Sequence, residues 1–265
     1  MPPLCRIPLV RLTLLGCGTS VGVPAIGCEC ATCLSPNPKN KRLRASAWLQ
    51  AENGASLLID TSPDLRQQAL RHKIPKVDGV LYTHAHADHT LGLDDLRIYN
   101  FRQKQAIPVF GSARTLTDLK KTFWYVVERE DYPGSRPGIE FHERPPEPFE
   151  VAGLRVTPIP LLQFNLPIWG FRFGGLCYIT DCSRVPDESW ALLENIDTLI
   201  VNALRPDPHP THFSVPQALE FIARLKPRRA VLTHMNHELE FEALRAILPA
   251  GVEPAYDGIE LDVEA

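Results

Sequence analysis

No stretch of this chain approaches the roughly 20 consecutive apolar residues that cross a bilayer, so no membrane partner is expected. Neither sign of charge is in excess: 28 Lys and Arg face 31 Asp and Glu, a net charge of −3. General attraction to nucleic acid needs a basic patch or arm. No Lys/Arg/Gly-rich insertion supplies one, so nucleic acid is not an expected partner. Internal repeats and low-complexity tracts are absent as well. The opening Met1-Pro2-Pro3-Leu4-Cys5-Arg6 lacks the basic start and apolar core of a signal peptide. The seven cysteines are odd in number, and three crowd into Cys28-Glu29-Cys30-Ala31-Thr32-Cys33. That disfavours a disulfide scaffold and fits a reducing cytoplasm.

What is present is an ordinary globular composition, 44% hydrophobic and 22% charged, with 265 residues to bury a sizeable core. Strand-like runs at 12–15, 56–59, 77–83, 154–160, 176–180, 199–202 and 230–233 alternate with helix-like segments at 64–72, 113–127, 186–194, 215–225 and 239–248. In the clearest helix, Val215, Ala218, Leu219, Ile222 and Leu225 fall at helical spacing behind Ser214 as N-cap. The Pro/Gly-rich stretch 132–148 is expected to be a surface excursion joining two halves of a single domain, 1–265. Neither side of it holds enough ligand candidates for a complete metal site. The expected class is α/β: two mixed β-sheets face to face, flanked by helices, with the site where strand-terminal loops converge.

The run Thr83-His84-Ala85-His86-Ala87-Asp88-His89 follows an apolar stretch directly. Three imidazoles and a carboxylate in six positions demand hydrogen-bond partners if buried, and together they make a metal cage. His84 and His86 are expected on one face at a strand end, with Asp88 and His89 in the turn beyond. Two divalent ions roughly 3.5–4 Å apart can clamp the attacking and leaving oxygens of a displacement. The second half supplies matching groups at strand ends, Asp181 after Leu176-Cys177-Tyr178-Ile179-Thr180 and His234 after Arg229-Ala230-Val231-Leu232-Thr233. Asp181 is placed to bridge both ions, and His234 to complete the Asp88/His89 side. Asp60 and Asp257 are candidate acceptors that orient ligand histidines. Arg205 and His209 belong to a proline-stiffened loop at the rim. Arg97 is open to a substrate phosphate or to a surface ion pair.

Cys28, Cys30 and Cys33 bring three soft thiolates into one loop, at about 27–40, which suits tetrahedral zinc better than a redox role. Cys5, Cys17, Cys177 and Cys182 are expected to be small buried apolar residues.

His84-x-His86-x-Asp88-His89 with Asp181 and His234 resembles the metallo-β-lactamase superfamily. Leu15-Gly16-Cys17-Gly18-Thr19-Ser20, the cysteine cluster, Pro210-Thr211-His212-Phe213, Thr233-His234-Met235-Asn236-His237 and Tyr256-Asp257-Gly258 narrow the resemblance. It is to the PhnP-like phosphoribosyl cyclic phosphate phosphodiesterases. The resemblance implies an αββα sandwich, a catalytic pair of divalent ions (Mn or Zn) and a separate structural zinc. It makes His237 the fourth ligand of that zinc. It also makes His212, counted with Asp88 as catalytic, the group that protonates the leaving alkoxide while metal-held hydroxide attacks phosphorus. The implied partner is a small phosphodiester such as phosphoribosyl 1,2-cyclic phosphate, and a homodimer is compatible with these features.

One departure stands out. The family's histidine after the strand at 154–161 corresponds here to Gln163. A neutral amide oxygen is a weaker ligand than imidazole for a borderline ion. The His84/His86 ion is therefore expected to bind weakly or to be a harder ion such as Mn²⁺. This leaves open a pseudoenzyme or a zinc-stabilised binding module. A tRNA 3′-processing type nuclease shares the motif but needs the basic arm that this chain lacks.

Overall fold

The computed structural model describes residues 9–128 and 134–264. One seven-stranded sheet holds β1 (Leu9–Gly16), β2 (Ser46–Ala51), β3 (Ser56–Ile59), β4 (Gly79–Leu81), β5 (Ile107–Gly111) and β6 (Ile139–Glu143) in order, with β14 (Glu260–Glu264) outside β1. The other holds β7 (Phe149–Val151), β8 (Leu154–Gln163), β9 (Leu166–Phe173), β10 (Leu176–Ile179), β11 (Thr198–Asn202), β12 (Arg229–Thr233) and β13 (Val252–Pro254) in order. The two sheets repeat one scheme. Pairing is antiparallel from β14 to β3 and from β7 to β10, then parallel from β3 to β6 and from β10 to β13. Parallel neighbours require crossovers, so each parallel half carries long loops past its strand ends. Those loops build the site.

Crossovers and flanks carry α1 (Ala31–Leu34), α2 (Leu65–His72), α3 (Ala87–Thr90), α4 (Arg97–Gln103), α5 (Ala113–Thr122), α6 (Trp124–Val127), α7 (Val215–Leu225) and α8 (Phe241–Ile247). Among the described residues no helix is long and apolar enough to cross a membrane. Alternation along the strands separates two apolar layers. Leu57 and Ile59 join Leu12, Leu49, Phe171 and Ile200 between the sheets. Leu58, between them in sequence, packs with Trp48, Val80, Tyr82 and Leu93 on the outer, helical side. Ser214 and Gln217 close a reciprocal capping box on α7. The result is the αββα sandwich of two mixed sheets.

Several sequence expectations need correction. Segment 132–148 is not only an excursion: β6 pairs in parallel with β5 as a sheet edge. Its short, half-exposed run between Gly138 and Pro145 dilutes the apolar signature, as edge strands do. The helix expected over 113–127 breaks at Phe123, and 186–194 tightens to a 3₁₀ helix, Asp187–Leu193. Cys5, Tyr132 and Pro133 lie outside the described residues.

Candidate metal centre

Three strands end in side chains that share a backbone feature. Asp60 after β3, Asp181 after β10 and His234 after β12 have φ of +60°, +57° and +53°. This left-handed conformation costs a non-glycine residue about 1–2 kcal/mol and collects where function over-determines the backbone. Asp60 and Asp181 occupy the same place in the repeated strand scheme, each ending the strand where antiparallel pairing turns parallel.

Asp60 is fully buried and organises the histidine-rich loop. Its Oδ1 accepts from the Thr83 N–H at 2.9 Å, and its Oδ2 accepts from Thr83 Oγ1 at 2.8 Å. Oδ2 also lies 2.7 Å from His89 Nδ1. Burial pushes the Asp60 carboxyl up, and the charge of His89 offsets that only in part. With Nδ1 held, His89 turns Nε2 to within 3.1 Å of Asp181 Oδ2 and 3.3 Å of Asp88 Oδ2. Asp88 and His89 lie in α3, not in an open turn. His234 Nε2 approaches Asp181 Oδ1 at 3.3 Å. The ligand atoms of Asp88, His89, Asp181 and His234 all lie within 4.8 Å of one another.

This crowding is poorly satisfied by hydrogen bonds alone. His89 Nε2 and both ring nitrogens of His234 are buried without an aligned hydrogen-bond partner, each worth about 1–3 kcal/mol if left so. Two carboxylates and two imidazoles converging with unsatisfied ring nitrogens fit a divalent cation. Burial opposes the charge on Asp88, but the adjacent imidazoles of His89 and His234 hold its carboxyl well below the usual range. Asp181 behaves likewise, with His234 and His89 outweighing its burial.

His84 and His86 stand beside this group, Nε2 to Nδ1 at 3.0 Å, with Thr83 Oγ1 2.9 Å from His84 Nδ1. Gln163, at the end of β8, enters the same space. Its Nε2 donates to Asp181 Oδ1 at 3.1 Å, and its Oε1 is buried with no donor. The same Nε2 lies 3.3 Å from His212 Nε2. Gln163→His is expected to tighten metal binding at the His84/His86 position by about tenfold or more, read by chelator competition. An unchanged affinity would place residue 163 outside that coordination sphere.

His212 Nε2 lies 2.8 Å from Asp181 Oδ1, and its Nδ1 is 2.7 Å from Thr211 Oγ1. Its ring stacks on that of His234 at 4.9 Å between centroids. Gln163, Asp181, His212 and His234 line one cleft of about 390 Å³. His209 reaches only the edge, 3.0 Å from Thr211 Oγ1. Arg205 turns back to the carbonyls of Asp207 and Pro208 in its own loop. Arg97 pairs with Asp94 and donates to Ser135.

Asp257 is a correction. It orients no ligand histidine; it accepts from the Cys17 N–H at 3.1 Å and the Leu43 N–H at 2.8 Å. It lies past β13 and holds the backbone of the turn that follows β1. Burial pushes its carboxyl up to about 6.

Sequence reasoning also missed the threonines. Thr83, Thr180 and Thr211 each place a hydroxyl on the side chain that follows, Thr180 Oγ1 donating to Asp181 Oδ2 at 2.7 Å. A threonine precedes His84, Asp181, His212 and His234 alike, a signal readable in the sequence.

A second cluster joins Cys28, Cys30, Cys33 and His237, again within 4.8 Å. His237 Nδ1 lies 3.3 Å from both Cys28 Sγ and Cys30 Sγ. The Cys33 N–H and His237 draw the Cys30 thiol down to about 6, towards the thiolate that binds metal. Three thiols and one imidazole fit tetrahedral zinc. Cys17, Cys177 and Cys182 are buried.

A family model described as a beta-lactamase superfamily domain matches residues 56–235, spanning both halves of this centre. The chain belongs to the metallo-β-lactamase superfamily. This superfamily member is 40% identical to a diphosphatase from the PhnP family of known crystal structure, with 96% of this chain and 98% of that one covered and a TM-score of 0.90. It is 38% identical over 259 residues to an octanoyltransferase from Porphyromonas gingivalis, covering 96% of this chain and 52% of that protein. The chain therefore spans about half that relative's length. Zn²⁺-bound PqqB from Methylobacterium extorquens shares the fold, with 22% identity, a TM-score of 0.76 and coverage of 96% and 100%. These features are those of a metallo-β-lactamase fold with candidate metal-binding groups at its strand ends.

Proposed function

We infer that the protein is a metal-dependent phosphodiesterase that opens a small cyclic phosphate, such as phosphoribosyl 1,2-cyclic phosphate. The observation that carries this reading is the meeting, on one carboxylate, of the metal-ligand cluster and a proton donor: Asp181 Oδ1 lies 3.3 Å from His234 Nε2 and 2.8 Å from His212 Nε2. Similarity to a diphosphatase of the PhnP family supports phosphoryl rather than acyl chemistry. Asp88, His89, Asp181 and His234 would hold one divalent ion, Mn or Zn, and His84 and His86 with Asp181 a second. Cys28, Cys30, Cys33 and His237 would hold a structural zinc. Bound ions activate water and offset charge on phosphoryl oxygens.

The chain's own residues do the rest. The cleft walled by Gln163, Asp181 and His212 confines the phosphoryl group beside the cluster. The Asp181 carboxylate, 2.8 Å from His212 Nε2, favours a proton on that nitrogen, and Thr211 Oγ1, 2.7 Å from Nδ1, holds the ring in place. When the P–O bond to the leaving oxygen breaks, that Nε2 proton neutralises the alkoxide.

The test is turnover of a cyclic phosphate, a diphosphate ester and an octanoyl thioester by metal-loaded protein. Cyclic phosphate opening is expected; selective cleavage of either other substrate would replace the reading. His212→Ala is expected to lower kcat on the cyclic phosphate by about 10²- to 10⁴-fold, with metal content unchanged. The loss should shrink for a nitrophenyl phosphodiester, whose leaving group needs no proton. Loss of metal would instead make His212 a ligand.

A further inference from the structure

A larger cavity, of about 570 Å³, lies between α2 and α4 and shares no lining residue with the cleft at the metal-ligand candidates. Its floor is Leu65, Ile74 and Tyr99, all buried in the outer apolar layer. The Tyr99 hydroxyl closes that floor by donating to the Ile74 carbonyl at 3.3 Å. Its walls are Leu70 of α2 and Ile98 of α4, which are 63% and 56% exposed. The spacing explains the shape. Arg66, Leu70 and Lys73 fall at i, i+4 and i+7 along α2 and its cap, and Ile98 and Arg102 at i and i+4 on α4. Each helix thus turns one stripe, part apolar and part cationic, towards the groove.

Four cations line the cavity against two acids. Arg97 pairs with Asp94, and Arg66 faces Asp95. Among the described residues Lys73 and Arg102 form no ion pair. Both stand at a helix C-terminus, Lys73 as the cap of α2 and Arg102 in the last turn of α4. Each helix end offsets about half a positive charge, so roughly one remains uncompensated over the apolar floor. An apolar surface left open to water beside an unpaired cation is complementary to an amphiphile with a negative head. Helices of eight and seven residues are only about 12 and 11 Å long. That is roughly the length of an extended decanoate tail and too short a track for a partner helix.

We propose that this groove binds a small amphiphilic monoanion, a medium-chain carboxylate whose tail lies on Leu65, Ile74 and Tyr99 between Leu70 and Ile98 and whose head meets Lys73 and Arg102. The site is independent of the phosphodiesterase reading.

Calorimetry on metal-loaded protein tests it with decanoate, hexanoate and decylamine. Wild type is expected to bind one decanoate per chain, with hexanoate about tenfold or more weaker for its shorter tail and decylamine about tenfold or more weaker for its charge. Leu70→Ser/Ile98→Ser should weaken decanoate by about tenfold or more. Lys73→Glu/Arg102→Glu should do the same and improve decylamine. All four side chains are exposed, so the fold should persist, as circular dichroism would check. Decanoate affinity unchanged in either double variant overturns the site, because a carboxylate held at the metal centre would be indifferent to both. No decanoate binding by wild type at about 1 mM overturns it as well. Sedimentation covers the other occupant: a wild-type dimer that Leu70→Ser/Ile98→Ser splits, with no decanoate bound, would give the groove to a second copy of the chain and overturn the proposal.

Discussion

Asp181→Asn is expected to strip metal from the catalytic cluster and to lower kcat/KM by about 10³-fold or more while the fold persists. Asp181 gathers the side chains of several loops around its two oxygens. Its oxygens lie within 3.3 Å of His89, His234, His212, Gln163 and Thr180. Asparagine keeps the shape and one acceptor oxygen, so the strand end and the Thr180 bond survive. The negative charge does not. With it goes half the anionic charge of the cluster, leaving Asp88 to balance any cation. Elemental analysis beside circular dichroism separates the two effects. A variant that keeps its metals and its turnover would remove Asp181 from the coordination sphere.

The second large effect is on stability. Arg42 is 1% exposed and has no acid among its hydrogen-bond partners. Its guanidinium donates to the Asn236 carbonyl at 2.9 Å, the Leu239 carbonyl at 2.6 Å and Asn40 Oδ1 at 3.3 Å. Its backbone pairs with Val23 in both directions, at the root of the cysteine loop. Burial lowers its pKa, but a guanidinium stays charged across the working range.

Arg42→Met would fill similar space, leave the buried Leu239 carbonyl without its donor, and leave the Asn236 carbonyl with only a long bond of 3.4 Å from the Leu239 N–H. The expected cost is about 2–4 kcal/mol, or roughly 5–15 °C in Tm for a chain of this size. Because Asn236 lies between His234 and His237, zinc at the cysteine site should also be lost to chelator faster. Thermal unfolding and chelator kinetics check the two halves. An unchanged zinc release rate would show that the clamp serves the fold alone.

Much of the centre was legible because its chemistry is written at strand ends. Asp60, Asp181 and His234 each terminate an apolar run, and a polar group there has nowhere to go but the sheet edge. The helix Val215–Leu225 was legible for a related reason, since periodicity, cap and first-turn proline agree. β9 was not, because Pro167 and Gly170 break its pattern. Gly170 is there because an added Cβ would meet the Tyr178 carbonyl at 2.9 Å, a tertiary demand invisible locally. β14 is recognisable only by its partner, since Glu260–Glu264 alternates charges and apolar residues too briefly to stand alone. Arg42, and the actual partners of Asp257, escaped for the opposite reason from the ligands. Their partners are backbone groups more than 190 residues away, and sequence spacing carries no trace of them.

The pairing of β14 with β1 sets Leu9 directly opposite Glu264. Residues at the two extremes of the described chain are thus antiparallel neighbours, about 5 Å apart. Among the described residues the first and last strands therefore meet at a sheet edge, and a linker joining residues 9 and 264 would cost little closure entropy. A chain permuted in that way and opened between β6 and β7 would run one sheet to completion before starting the other.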